Sequence, residues 1–351
     1  MSSRNMSSGR MSRASGLLRC GLAALALTFT AAEARVTQAA PAQAASAPMV
    51  VTILGSGSPG PSEVRFSQSI LVEAGEEKLL FDAGRGASIR LNQLGIPLRS
   101  VTATFLTHLH SDHLVGLPDL WLTGWLTAAF GGRKAPMTIY GPVGTLSLTQ
   151  HLTTAFAADI RTRQDDEGLP ASGIAFDAHE IGAGTVYQRG GVTVTAFTAD
   201  HGEKIQPNFG YVIEYGGKKV VLSGDTKYDE RVFRRALGAD LLLHEVAAID
   251  PEIFKTNPGF RNVEAHHTTP EQAGQIFTLA RPKLAAFTHL IVVSVNGRSD
   301  GNNPTDDLFK RTRTTYRGPL VGGEDLMRFE IGDDVTVFNQ RRDRVELAPS
   351  P

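Results

Sequence analysis

The stretch Thr107-His108-Leu109-His110-Ser111-Asp112-His113 follows an apolar, β-prone run and decides how this chain is interpreted. His108 and His110 alternate on an extended segment, so both side chains point to one side. Asp112 and His113 can turn toward a second position as the chain begins to coil. Three histidines and an aspartate within six residues are more typical of a metal site than of a surface turn or a core histidine. The stretch predicts ligands for two metal ions.

The composition fits a globular chain with a sizeable core. The chain has 351 residues, a formal net charge of -1, 41% hydrophobic residues and 36 glycines. This length suits one large or two small domains with many tight turns. The charge balance gives no sign of a polyanion-binding surface over the whole molecule.

The N-terminal stretch is typical of a signal peptide. Four arginines precede the apolar run at 21–30, and Ala32-Glu33-Ala34 follows it. The run is shorter than the roughly 20 residues that a membrane-spanning helix needs, so a permanent anchor is the weaker interpretation. We therefore expect export to the periplasm or medium. Cleavage after Ala34 would leave 31 basic and 35 acidic residues and a formal charge of -4.

The domain organisation follows from this leader. We expect a signal peptide at 1–34, a linker rich in Ala, Gln and Pro at 35–49, one folded domain that contains the His cluster at 50–340 and a tail at 341–351. The single cysteine, Cys20, lies in the leader, so the mature chain can form no internal disulfide. Its metal ligands must therefore be histidines or carboxylates.

Short β-rich runs alternate with helical patterns from Val50 onward. The first half predicts strands at 50–54, 68–73, 78–82 and 101–106 with a helix at 86–94, and the His cluster follows the last of these strands. The second half predicts strands at 191–197, 209–214, 219–223, 240–244 and 284–288, and a helix after Pro270. Two β-rich halves are most simply packed as an α/β fold with four αββα layers and the site at one rim.

The pattern His-x-His-x-Asp-His resembles the signature of the metallo-β-lactamase superfamily, and further elements of that family's pattern follow in order. Thr198-Ala199-Asp200-His201-Gly202 is similar to the segment with the third-strand histidine. Leu222-Ser223-Gly224-Asp225-Thr226 is similar to the segment with the bridging aspartate, and Phe287-Thr288-His289-Leu290 to that with the last histidine. The resemblance covers roughly 50–331.

The resemblance implies a dinuclear centre. It assigns His108, His110 and His201 to one ion, and Asp112, His113 and His289 to the other. Asp225 bridges the two. Zn²⁺ accepts such ligands, and two ions about 3.5–4 Å apart can share a hydroxide that acts as nucleophile. Mn²⁺ and Fe²⁺ also suit these ligands.

Two further features are similar to the ribonuclease Z and arylsulfatase-like branch. His244-Glu245 ends a predicted strand, and His266-His267-Thr268-Thr269-Pro270 opens a helix. In that branch the Glu, here Glu245, orients the His, here His267, which contacts the leaving oxygen or the scissile phosphate. Asp112 would also accept the proton of the attacking water. The alternative is a surface glutamate and a helix cap.

The remaining histidines receive no catalytic role. His266 is interpreted as a neighbour of His267, and His244 as a residue near the metals that does not bind them. His151 and His179 fall outside the pattern and are expected on the surface or in the core.

The substrate class stays open at this point. Ribonuclease Z holds tRNA with a long arm inserted between the third histidine and the bridging aspartate, but only a hairpin fits between His201 and Asp225. The expected export, the acidic net charge of the mature chain and the lack of a basic stripe in its sequence also argue against nucleic acid as the substrate. We therefore expect a small phosphodiester or aryl sulfate ester as the substrate. Three other functions remain open: hydrolysis of lactones or carboxylic esters, ribonuclease Z-type activity, and metal binding without catalysis. The sequence also leaves open whether the protein forms a homodimer.

Two segments could form an apolar roof over the pocket. Leu120-Trp121-Leu122 and Trp125-Leu126 lie close to the His cluster in sequence, with a predicted helix at 143–158 further on. The segment from Pro251 to Phe260 is also apolar and aromatic. An ordinary packed helical cover is an equally good interpretation of either segment. An apolar roof would favour an aromatic leaving group.

Overall fold

The computed structural model describes residues 48–293, 305–345 and 347, and these form two mixed β-sheets with helices outside. The predicted signal peptide, the predicted linker up to residue 47, and residues 346 and 348–351 of the predicted tail lie outside the described residues. The first sheet contains strands β1 (Met49–Gly55), β2 (Ser69–Ala74), β3 (Glu77–Phe81), β4 (Ala103–Phe105), β5 (Met137–Gly141), β6 (Phe176–Glu180), β14 (Arg328–Ile331) and β15 (Val335–Phe338). The second contains β7 (Gly184–Arg189), β8 (Val192–Thr198), β9 (Phe209–Tyr215), β10 (Lys218–Leu222), β11 (Leu241–Ile249), β12 (Leu284–Val293) and β13 (Leu320–Gly322).

Each sheet combines antiparallel hairpins with a run of parallel strands. The spatial order is β15-β14-β1-β2-β3-β4-β5-β6 in the first sheet and β13-β12-β11-β10-β9-β8-β7 in the second. The strands from β3 to β6 are parallel, and so are those from β10 to β13. Gly216 and Gly217 join β9 to β10, and both have positive φ, as a two-residue hairpin turn requires.

The helices cover the outer faces of both sheets. On the first sheet lie α1 (Ala87–Gln93), α2 (Leu117–Trp125), α3 (Thr145–Ala155), α4 (Ala157–Glu167) and α5 (Ala171–Ile174). On the second lie α6 (Glu230–Ala236), α9 (Pro270–Ala280) and α10 (Thr305–Thr312). Two short helices, α7 (Ile253–Thr256) and α8 (Phe260–His266), pack instead near the far ends of β11 and β12.

Three apolar layers account for this stacking. A central core between the sheets includes Ile53, Phe105 and Tyr211, and outer cores lie under the helices of each sheet. Burying apolar surface on both faces of each sheet stabilises the stack. The predicted four-layer αββα sandwich is confirmed.

Several local predictions need correction. The predicted helix at 143–158 is two helices, α3 and α4, which meet at Phe156. The strands predicted at 240–244 and 284–288 continue five residues further, to Ile249 and Val293. The first strand begins at Met49, one residue inside the predicted linker. None of the helices in the described ranges has the length and apolar character needed to cross a bilayer.

Candidate metal centre

The seven predicted ligands meet at one rim of the sandwich. His108, His110 and His201 offer ligand atoms within 4.8 Å of one another, and so do Asp112, His113 and His289. They come from the loops after β4, β8 and β10 and from the middle of β12, which places distant parts of the chain at one point. These two sets are the ones that the family resemblance assigns to the two metal ions.

The Asp225 carboxylate lies between the two sets. Its Oδ2 is 3.7 Å from His201 Nε2, 3.4 Å from His113 Nε2 and 3.3 Å from His289 Nε2. Burial by itself opposes ionisation, but the interactions with His289 and His113 outweigh it and hold the pKa of Asp225 well below its usual range. An ionised carboxylate at this position can contact cations in both sets.

The donor set fits divalent metal ions. The Nε2 atoms of His108 and His113 are buried and have no hydrogen-bond partner among the described residues, which is costly unless a ligand is bound. Burial lowers the pKa of His108 well below its usual value and that of His201 to about 4. Neutral imidazole keeps its lone pair free, as metal binding requires.

Asp82 supports the centre from behind, and the sequence interpretation missed this role. Its Oδ2 lies 2.7 Å from Nδ1 of His113, and its Oδ1 accepts a hydrogen bond of 2.8 Å from the backbone N–H of Thr107. Carboxylates in this position fix the tautomer and the orientation of a ligating histidine. The only available signal was a polar residue at a strand end, before Ala83-Gly84. Asp82 also has a positive φ of 59°, which a non-glycine residue keeps only when its surroundings enforce it.

Replacing Asp82 by Asn should weaken metal binding without unfolding the protein. The amide is a poorer partner for His113, and losing such a supporting contact typically costs about 10- to 100-fold in metal affinity. Competition with a chromophoric chelator measures this affinity. Asp177→Asn is the matched control, because Asp177 also pairs with a histidine, His179, at 3.0 Å but on the exposed surface. Equal metal affinity in the two variants would contradict the supporting role of Asp82.

A β-bulge positions the last histidine. Between His244 and Val246 the register of β11 against β12 shifts, because β12 has one extra residue there. Glu245 on β11 therefore lies opposite both Thr288 and His289 on β12. His289 has a positive φ of 44°, and the N–H of Leu290 donates to the carbonyl of Ser56 at 2.8 Å. Bulges of this kind re-aim side chains at active sites. Here the bulge places His289 Nε2 3.1 Å from Asp112 Oδ2.

Glu245 and His267 form a pair beside the metal-ligand sets. Glu245 Oε2 lies 3.2 Å from Nδ1 of His267, and its Oε1 accepts a hydrogen bond from the N–H of Thr268 at 2.8 Å. Burial lowers the pKa of His267, but the Glu245 charge overrides this effect, and the net pKa is raised. The protonated ring can donate a proton into the site. Glu245, His267 and His289 also offer atoms within 4.8 Å of one another.

The other histidines divide as follows. His266 is an exposed neighbour whose backbone carbonyl accepts from Nδ1 of His201 at 2.9 Å. His244 is fully buried against Phe277, with its Nδ1 2.7 Å from the Glu245 carbonyl. His151 and His179 are exposed and lie on α3 and β6, away from the clustered ligands.

A cavity of about 360 Å³ opens onto the ligands. Its walls include His110, Asp112 and His267, and its roof comes from α8 through Phe260 and Val263. Of the predicted roof segment from Pro251 to Phe260, only Phe260 borders this cavity. The other predicted part of the roof was wrong, because Trp121 and Trp125 are buried side chains of α2, and their indoles donate to the backbone carbonyls of Ile174 and Pro170. This part of the chain is the packed helical cover that was the other interpretation.

Comparison with known proteins identifies the family. The family model for the beta-lactamase superfamily domain matches residues 77–290. A protein named ribonuclease Z from Mycobacterium bovis is 32% identical over 281 residues, which are 80% of this chain and 98% of that protein. The chain belongs to the metallo-β-lactamase superfamily, in its ribonuclease Z-like branch. A second ribonuclease Z, from Mycolicibacterium gilvum, is 32% identical and aligns with 80% of this chain and 96% of its own length.

Solved structures share the fold. A metallo-β-lactamase fold protein from Bacillus subtilis superposes with a TM-score of 0.61 at 21% identity, covering 81% of this chain and all of that one. The short form of human tRNase Z gives a TM-score of 0.58 at 24% identity, covering 81% and 99% of the two chains. At this identity the likeness concerns the fold alone.

Family membership carries a first functional conclusion. A metallo-β-lactamase superfamily member with ribonuclease Z relatives is a metal-dependent hydrolase acting on ester bonds. The names of the relatives also weaken our expectation that nucleic acid is not a substrate, so RNA has to be tested directly.

Proposed function

We propose that the protein is a dinuclear metal-dependent phosphodiesterase acting on a small phosphodiester. The observation that supports this most directly is that His267, which pairs with Glu245, borders the same cavity as Asp225 and members of both metal-ligand sets. His108, His110 and His201 would hold one ion, Asp112, His113 and His289 the other, and Asp225 would contact both. When bound, the ions polarise the phosphoryl oxygen and lower the pKa of water.

The side chains then divide the proton transfers between them. Asp112, whose carboxylate borders the cavity, accepts the proton of the attacking water as the new bond to phosphorus forms. His267 donates its proton to the leaving oxygen as the bond from phosphorus to that oxygen breaks. Glu245 keeps His267 protonated and oriented for this transfer. One water is consumed, and a phosphomonoester and an alcohol are released.

Two observations favour a small substrate. The chain between His201 and Asp225 consists of a short loop and the hairpin β9–β10, with no room for an arm. The cavity itself is of small-molecule size. RNA is the second candidate, and the observation in its favour is the ribonuclease Z name of relatives at 32% identity.

Parallel assays of the fully metallated protein separate these candidates. The substrates are bis-nitrophenyl phosphate, nitrophenyl sulfate, a lactone and a precursor tRNA, with metal analysis alongside. We expect the highest kcat/KM with the phosphodiester and two divalent ions per chain, Zn²⁺ first among them. Faster processing of the tRNA would replace the small substrate by RNA, and faster sulfate or lactone cleavage would change the ester class. Metallated protein that cleaves none of them would leave a binding protein on the same fold.

We also propose that the protein is exported, on the strength of the arginines and the apolar run near the N-terminus. The exported fraction should contain protein whose first residue lies between Arg35 and Pro48. Intact mass measurement and N-terminal sequencing of protein from each cell fraction provide the check. Chains beginning at Met1 and found only in the cytoplasm would remove this proposal.

A further inference from the structure

We infer that the substrate is an asymmetric phosphodiester whose leaving alcohol is apolar and aryl-sized, and that this group occupies a separate apolar lobe of the cavity. The apolar lobe is formed by Phe260, Val263, Ile291 and Val293. This inference rests on the proposed function, because it assigns the two ester substituents of the same reaction to two sides of the metal centre.

The apolar lobe is built by the strand extensions that lie beyond the metal centre. β12 continues from His289 through Ile291 to Val293, and all three residues border the cavity, as the two-residue period of a strand allows. On α8, Phe260 and Val263 are one turn apart, also border the cavity and pack against the apolar cluster that contains Ile291 and Val293. Ile291 and Val293 are almost fully buried, and Ile249 and Ile253 pack behind them in the same apolar cluster.

The chemistry of this lobe selects an apolar group. The four side chains that form it carry no charge or hydrogen-bonding group. Apart from the predicted metal ligands, the polar side chains that line the same cavity are Ser58, Asn262, His266 and His267. A hydroxyl placed among the four apolar side chains would lose its water without gaining a partner, whereas an apolar group of the same size gains burial.

The orientation of the substrate follows from His267. This residue borders the same cavity as the apolar lobe and is paired with Glu245, and its ring stacks on that of His289 at 5.7 Å between centroids. A proton donor must reach the leaving oxygen, so the leaving group lies on the His267 side.

The other substituent then lies on the opposite side of His110. There a second cavity, of about 240 Å³, shares His110 with the first. It is lined by the exposed polar side chains of Lys204 and Gln206 and by apolar residues, Leu109, Pro142, Val143, Ile205 and Pro207. This mixed lining accepts either a polar or an apolar group, so the product that remains would be a phosphomonoester of either kind of alcohol.

Two pairs of diesters test the assignment. In the first pair the leaving phenol carries a para-ethyl or a para-hydroxymethyl group, which are similar in size and leave the phenols nearly equal in acidity. The wild type should prefer the ethyl compound by at least about tenfold in kcat/KM. In the second pair the leaving group is nitrophenol and the other ester group is butyl or hydroxypropyl. Here we expect the two compounds to have nearly equal kcat/KM. A preference confined to the second pair, or no preference in the first, would overturn the inference.

A variant on α8 locates the preference in the apolar lobe. In Val263→Asn, the ratio of kcat/KM for the ethyl compound to that for the hydroxymethyl compound should fall toward one. Ala265→Asn is the control, because it introduces the same side chain at an exposed position of the same helix, and it should keep the wild-type ratio. An unchanged preference in Val263→Asn, with the wild-type melting temperature, would show that the apolar lobe does not hold the leaving group.

A binding measurement separates this inference from the proposed function. The released phenols are tested alone by NMR titration, without turnover, and para-ethylphenol should bind the wild type more tightly than its hydroxymethyl analogue but bind Val263→Asn weakly. If the phenols bind this way and no diester is cleaved, the proposed function fails and the apolar lobe remains a binding site. If the diesters are cleaved but the phenols show no difference, the inference fails alone.

Discussion

Asp225→Ala is expected to lose at least one of the two metal ions and to lower kcat/KM on the order of a thousandfold. Asp225 is the one carboxylate within 3.7 Å of histidine nitrogens from both ligand sets in the described part of the chain. Several kcal/mol of transition-state stabilisation depend on the bound ions, and each 1.4 kcal/mol corresponds to about a factor of ten in rate. Removing the carboxylate also leaves the clustered imidazoles without their central negative charge.

Metal content per chain, measured after removal of loosely bound ions, is the primary readout for this variant. Asp333→Ala serves as the control, since Asp333 is fully exposed and pairs with Lys218 on the surface. Two ions retained in Asp225→Ala would refute the bridging assignment. Loss of metal together with a much lower melting temperature calls for a second variant, Asp225→Asn, which keeps the shape and removes the charge.

The ligand sets could be predicted from the sequence because their signals are local. Four of the seven ligands lie in one stretch of six residues, and the other three stand in short polar turns at the ends of or within apolar strands. The strand that places each turn is buried and β-prone, so its existence follows from composition. The αββα layering could be anticipated for the same reason.

The supporting contacts could not be predicted from the sequence, because their partners are distant in the chain. Asp82 reaches His113 across 31 positions, and nothing in the local sequence distinguishes it from a turn aspartate. The β-bulge opposite Glu245 could not be predicted from the local sequence either. We expected both strands to end at the site residues, but β11 and β12 continue beyond the bulge, and the extension of β12 contributes Ile291 and Val293 to the apolar lobe.

The error in the predicted roof of the cavity shows a different limit of sequence-based prediction. An apolar aromatic segment has the same pattern whether it packs in a core or lines a cavity, so Trp121 and Trp125 could not be distinguished from Phe260 by composition. The structure separates them by burial: both tryptophans are about 1% exposed or less, whereas Phe260 is half-buried at the cavity. Cavity position is a property of packing between elements.

His267→Ala should keep both metal ions and lose about 10²- to 10⁴-fold in kcat, the range that a general acid contributes. His267 is not in either predicted ligand set, and its Nδ1 is taken up by Glu245, so the ring acts on the substrate through its other nitrogen. The loss should depend on the leaving group, because a good leaving group such as nitrophenolate needs little protonation. A diester with a poor leaving alcohol should therefore lose far more activity than the nitrophenyl compound.

That dependence separates a proton donor from a helix-cap neighbour. A residue that only supports the start of α9 would lower activity equally for all leaving groups and would lower the melting temperature. His266→Ala is the matched control, because His266 is the adjacent histidine, and the substitution keeps the backbone carbonyl that accepts the hydrogen bond from His201. Glu245→Gln should imitate His267→Ala in the leaving-group dependence, since the neutral amide no longer holds the imidazole protonated. A uniform loss across leaving groups would demote His267 to a structural neighbour.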